Sequence, residues 1–202
     1  MKSESATLTS RRAWPFVKYF LFAIVYALAV RFGFAVRYGS AYQSTMWIAS
    51  GVLIIALVRS SPRQWPIYLL LHVAISLGIA HRVFDSGTWM PTGAEALTTA
   101  IDALKACAGA VLIRRFIPHQ DPLHGPREFG RCVIGGIMLT AVSATLCAPA
   151  VASTLEHQSL LLTWRIWWLS DALGIMTVAP AVLSWCGGGK PWLRTASSAR
   201  RW

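Results

Sequence analysis

The segment WRIWWLSDALGIMTVAPAVLSW (164–185) is apolar enough to lie within a bilayer, yet Asp171 sits near its middle. A carboxylate at that depth costs about 3 kcal/mol on insertion scales, so it needs a partner or a use. Arg31, His72, Asp102 and Lys105 occur in similarly apolar surroundings. Arg31 and Lys105 balance Asp102 and Asp171 in charge, and mutual pairing inside a helix bundle is the arrangement that relieves such charges. Asp102 and Lys105 stand three residues apart, hence on one helix face. Trp164, Trp167, Trp168 and Asp171 recur at helical spacing, which turns the indoles and the carboxylate to the same side. Two readings follow. The charges form a structural clamp that sets helix register, or they form a pocket with Asp171 as anchor and Trp167 and Trp168 as walls. A cation over an indole face would suit such a pocket.

These residues need helices to hold them at one depth. The chain has 202 residues, 55% hydrophobic and only 13% charged, with a mean hydropathy of +0.50; soluble domains carry about 25% charged residues. This composition predicts an all-α polytopic membrane protein. Runs long enough to span fall near 16–38, 43–59, 65–83, 93–116, 129–151 and 159–186. The expected organisation is a segment at 1–14, a transmembrane domain at 15–186 and a basic tail at 187–202.

The formal net charge of +11 does not point to nucleic acid, because the positive residues gather in short segments between apolar runs. Lys2, Arg11, Arg12 and Lys18 precede or open the first run. Arg59 and Arg63 follow the second, Arg114, Arg115, Arg127 and Arg131 lie between the fourth and fifth, and Lys190, Arg194, Arg200 and Arg201 occupy the tail. The alternate connections hold only Arg37 and Arg82. Six spans with both termini cytoplasmic satisfy this asymmetry, with the lipid bilayer as the first partner. In that arrangement Asp171, Asp102 and Arg31 lie roughly 16, 13 and 10 Å from the outer face, at about 1.5 Å per helical residue, near enough in depth to meet.

Other motifs carry less chemistry. SRRAWPF (10–16) resembles a twin-arginine export signal, but Arg31 interrupts the run behind it, so an uncleaved first helix is expected. Cys107, Cys132, Cys147 and Cys186 form no C-x-x-C pair and read as small buried side chains. His119 and His124 belong to a solvated loop, and GGGK (187–190) lacks the strand and following Ser/Thr of a phosphate loop. Glu95 follows Thr92 at capping-box spacing, and His72 reads as a satisfied core residue. No nucleophile–base arrangement occurs, so no catalytic residue, metal or cofactor is expected.

The stretch WWLSDALGIMTVAPAVLSW (167–185) resembles the signature of the MASE1 family, bacterial integral membrane sensor domains. Trp167, Trp168, Asp171, Ala172, Gly174, Ala179 and Pro180 stand at its motif positions. WIASGVLIIALV, QWPIYLLLHVAIS and GAEALTTAIDALKACAGAVLIRRF are similar, more loosely, to earlier segments of the family. Ile48 and Ala49 stand where the family usually has proline. The resemblance implies signal perception at the bacterial inner membrane, with output through a cytoplasmic diguanylate cyclase or histidine kinase, hence cyclic di-GMP or two-component signalling. The chain has room for neither, so the expectation is a truncated sensor or one acting in trans, with a homodimer allowed. Two other classes compete: the substrate-binding subunit of a vitamin-type importer, and a ligand-free membrane interaction module.

Overall fold

A computed structural model describes residues 3–37, 44–83, 92–116, 126–153 and 159–187. The segment with His119 and His124 and the tail from 188 onward lie outside the described residues. Among the described residues six α-helices follow one another: α1 (Ser3–Ala35), α2 (Ile48–Arg59), α3 (Trp65–Val83), α4 (Thr92–Phe116), α5 (Pro126–Ala152) and α6 (Leu160–Gly187). A single 3₁₀ turn, Pro62–Gln64, leads into α3, and no sheet forms among the described residues beyond an isolated bridge between Arg37 and Ser44. Among the described residues three segments are long and apolar enough to cross a membrane, Phe16–Ala35, Gly93–Phe116 and Phe129–Ala152. Large apolar side chains cover the outside of the bundle, among them Phe16, Phe20, Leu70, Leu104, Ile134, Met138 and Leu173. A soluble monomer rarely exposes such patches, whereas lipid accepts them.

The helices match the expected apolar runs except at two places. α1 begins at Ser3, well before the expected start near residue 16. α2 begins at Ile48 and has 12 residues, about 18 Å of helix at 1.5 Å per residue, against a hydrocarbon core of roughly 30 Å. The residues before it turn inward instead. Thr45 donates both its backbone N–H and its hydroxyl to Val36 O, and Trp47 N–H donates to Ser170 O of α6 at 3.0 Å.

This short helix is the centre of the molecule. It packs against α1, α3, α4 and α6, and buries Ala49, Ser50, Gly51, Leu53, Ile54, Ile55 and Leu57. A helix end away from water must find partners for its free carbonyls. Here Arg114 of α4 supplies them: its guanidinium donates to Leu57 O at 2.8 Å, to Val58 O and to Ser60 O. Trp65 Nε1 also donates to Leu57 O, at 3.0 Å, and its ring lies 5.3 Å from the guanidinium carbon. At the other end, the Trp47 indole packs over Gly33 and against Phe34 of α1.

Close approach of α2 to α6 requires glycine. A Cβ on Gly174 would run into the Trp47 carbonyl, and one on Gly51 would meet Val178 Cβ at 2.7 Å and Gly174 O at 2.9 Å. Pro149 and Pro180 fall inside α5 and α6. Cys107, Cys132 and Cys147 are free thiols, the last two buried.

Gly174→Ala is therefore expected to destabilise the bundle by about 1–3 kcal/mol, the usual cost of overpacking. Gly135→Ala, where a Cβ meets nothing within 4 Å, should leave stability unchanged or slightly raised. Thermal unfolding of the two purified variants in one detergent compares them directly.

Candidate functional site

α4 brings Asp102 and Lys105 to one face, and α6 brings Asp171 opposite them. Lys105 Nζ donates to Asp102 Oδ1 at 2.6 Å and to Asp171 Oδ2. The Lys105 and Asp171 side chains are 1% and 2% exposed, that of Asp102 15%. Ser50, in the first turn of α2, donates its hydroxyl to the other Asp171 oxygen at 2.8 Å. The partly positive amino end of a helix favours an adjacent carboxylate. Asp171 is thus held by an ammonium, a hydroxyl and a helix end, each from a different chain segment than its own.

Beside this cluster runs a hydrogen-bonded row. His72 Nε2 lies 3.2 Å from Thr99 O. That carbonyl can only accept, so Nε2 carries a proton, and in the neutral ring Nδ1 accepts from the Tyr26 hydroxyl at 2.6 Å. Ser76 Oγ stands 3.3 Å from the same hydroxyl. The row joins α1, α3 and α4.

Cluster and row border a cavity of about 100 Å³. One water needs about 10–15 Å³ measured this way, so the space takes several waters or a small organic molecule. Asp102, Asp171, Glu95 and His72 are among the residues that line it, together with Trp47 and Trp167. Its lining comes from the carboxyl-terminal parts of α1, α3 and α5 and the amino-terminal parts of α4 and α6, together with Ser44 and Trp47 just before α2. The cavity therefore lies in the half of the bundle away from the start of α1.

The structure brings together three of the charges singled out in the sequence and leaves one out. Arg31 is exposed, and no ion pair involves it among the described residues, so the expected balance of two cations against two carboxylates is corrected to one against two. The reason is geometric. The buried stripe of α1 runs through Phe22, Tyr26, Ala29, Val30 and Phe34, and Arg31 is turned about 100° from Val30. Its long side chain lies close enough to the end of α1 to reach a headgroup region.

The tryptophan face also divides. Trp167 borders the cavity with Asp171. Trp164 and Trp168 do not; their rings pack on each other at 5.0 Å. Trp164 Nε1 donates to Thr145 Oγ1 at 3.0 Å and Trp168 Nε1 to Ile137 O at 3.2 Å, both on α5. At about 100° per residue, Trp167 falls on one side of Asp171 and Trp164 and Trp168 on the other. A stripe this wide touches two neighbours. Glu95, read in the sequence as a capping residue, is buried against the cavity. Ser50 was missed altogether; a lone hydroxyl in WIASGVLIIALV is a weak signal, because small residues at a helix contact explain it as well.

The fold and its site define a helical membrane domain built around a charged, partly enclosed cavity. A family model, MASE1, matches residues 19–201, and the chain belongs to this family of membrane sensor domains. The probable diguanylate cyclase DgcE of Escherichia coli (strain K12) is 23% identical over 135 residues, 67% of this chain and 12% of that protein. The chain thus corresponds to a small part of its relative's length. No solved structure matches it.

The ion cluster can be tested by removing its shared cation. Lys105→Met leaves two carboxylates buried together and is expected to cost about 3–5 kcal/mol. Arg31→Gln, on the exposed wall, should change stability by less than about 0.5 kcal/mol. Unfolding of both variants in the same detergent checks the contrast.

Proposed function

We propose that the chain perceives a small molecule in this cavity and relays its presence to a cytoplasmic signalling enzyme of the diguanylate cyclase type. The observation that carries the reading is that Asp171, at the cavity wall, belongs to α6, the last helix among the described residues. All six helices then cross the bacterial inner membrane, α2 in company with the inward-turned residues before it. The distribution of lysine and arginine favours cytoplasmic termini, and in that orientation the cavity opens toward the periplasm.

The domain itself performs no chemistry in this scheme. A ligand shifts the bundle only if it binds two arrangements unequally. The elements that can differ are the contacts of α6: the Lys105 ammonium, the Ser50 hydroxyl and the backbone of Trp47 all hold the same stretch of that helix. A ligand that competes for or reinforces these contacts alters how α6 leaves the membrane, and a fused or associated enzyme reads that change. The relative's name, a diguanylate cyclase, favours this over an importer subunit and makes cyclic di-GMP the natural output.

The test replaces the matching region of DgcE with this chain and measures cellular cyclic di-GMP by mass spectrometry. Asp171→Asn should change the output at least about threefold at equal membrane abundance, since it weakens contacts worth of order 1 kcal/mol. Output identical to the unsubstituted chimera for both Asp171→Asn and Lys105→Met would overturn the reading.

A further inference from the structure

The cavity's chemistry narrows what enters it. Asp102 and Asp171 share one ammonium, so with both carboxylates ionised the triad has one negative charge in excess, and an uncompensated charge in a region of low dielectric is costly. Among the described residues that line the cavity there is neither lysine nor arginine, whereas Glu95, Asp102 and Asp171 are all present. The two carboxylates are not equally available. Asp171 is closed off by Lys105 and Ser50, whereas Asp102 keeps 15% of its side chain exposed. The walls add Trp47, Trp167 and Phe34, and indole faces attract cations most strongly when water is excluded.

From this we infer that the ligand is a small organic ammonium, a primary amine of a few carbon atoms, whose charged head binds Asp102 while its carbon chain lies against Trp47 and Trp167. This rests on the cavity being the perception site. Such a molecule supplies the missing positive charge, and the enclosed space of about 100 Å³ holds an ammonium head and a few carbon atoms. A metal ion fits the donors less well, because among the described residues no three His, Cys, Asp or Glu side chains converge on one point. Once bound, the amine competes with Lys105 for Asp102. Lys105 is then left to Asp171 alone, which tightens α4 against α6 and links occupancy to the helix that carries the signal.

The experiment uses the full chain in phospholipid nanodiscs and follows tryptophan fluorescence on addition of propylammonium chloride, with propanol and sodium propionate as neutral and anionic probes of similar size. Saturable quenching by propylammonium, and none by the other two at equal concentration, is expected. Asp102→Asn should weaken it about tenfold or more, as loss of a charged hydrogen bond implies, while Asp102→Glu retains most of it and Arg31→Gln leaves it unchanged. Circular dichroism verifies that each variant is folded, and the comparison of probes on the unsubstituted chain needs no variant. Equal binding of propanol or propionate, no binding of propylammonium, or the same response to potassium chloride overturns the amine assignment. The cyclic di-GMP response of Asp171→Asn is read independently, so perception by the domain stands or falls on that assay and not on this one.

Discussion

One ammonium shared by two carboxylates, from helices that meet deep in an apolar bundle, is the constraint on which the remaining structure depends. Asp171 cannot face hydrocarbon, and Lys105 cannot either. Their pairing obliges α4 and α6 to stand at a fixed height and rotation relative to each other. That requirement passes to α2, which lies between them with Ser50 directed at Asp171. The cost of burying three charges is offset only where each finds good partners, and the partners here come from three separate helices. Loosening any one of them exposes the other two.

The sequence motifs that carry the family resemblance take on physical meaning through α2. Its amino end abuts α6 because Gly174 has no side chain to keep the Trp47 backbone away. Its carboxyl end is closed by Arg114, the first arginine of the LIRR run (112–115). Trp164, just before the motif, and Trp168, within it, fasten α6 to α5, while Trp167 turns to the cavity. Tryptophans, aspartate, glycine and arginine are thus attachments of one short buried helix and of α6. Because α2 starts inside the bundle, the space before it is not filled by helix. The cavity is a consequence of that late start.

Much of this was legible in the sequence. Apolar length and turn-rich breaks located all six helices, and α3 and α4 agree with their expected spans almost to the residue. Helical rise put Asp102 and Asp171 at similar depth, and they do meet at Lys105. The rest failed where a helix has more than one neighbour. Charge balance drew Arg31 into the centre, but balance says nothing about which way a side chain turns on its own helix, and α1 turns it outward. Periodicity put three indoles on one face, but a face is wide enough to be divided between a cavity and a helix. The second run already reads as short, and α2 is shorter still because Ser44 and Thr45, polar residues inside the expected 43–59 run, give their hydroxyls to Met46 O and Val36 O ahead of the helix. Ser50 and Glu95 acquire roles only when separate helices come together, a relation no single segment displays.

In the proposed scheme, a cavity bordered by groups that also hold α6 allows occupancy to be felt outside the membrane, whereas a cavity with purely apolar walls would bind without reporting. The central claim is that Lys105 and Asp171 are in direct contact, and the most direct measurement is the distance between Lys105 Nζ and Asp171 Cγ by solid-state NMR on selectively labelled protein in lipid. The account predicts a separation of about 3.5 Å, as for hydrogen-bonded ammonium and carboxylate. A separation beyond about 6 Å, outside the reach of a direct ion pair, would contradict it.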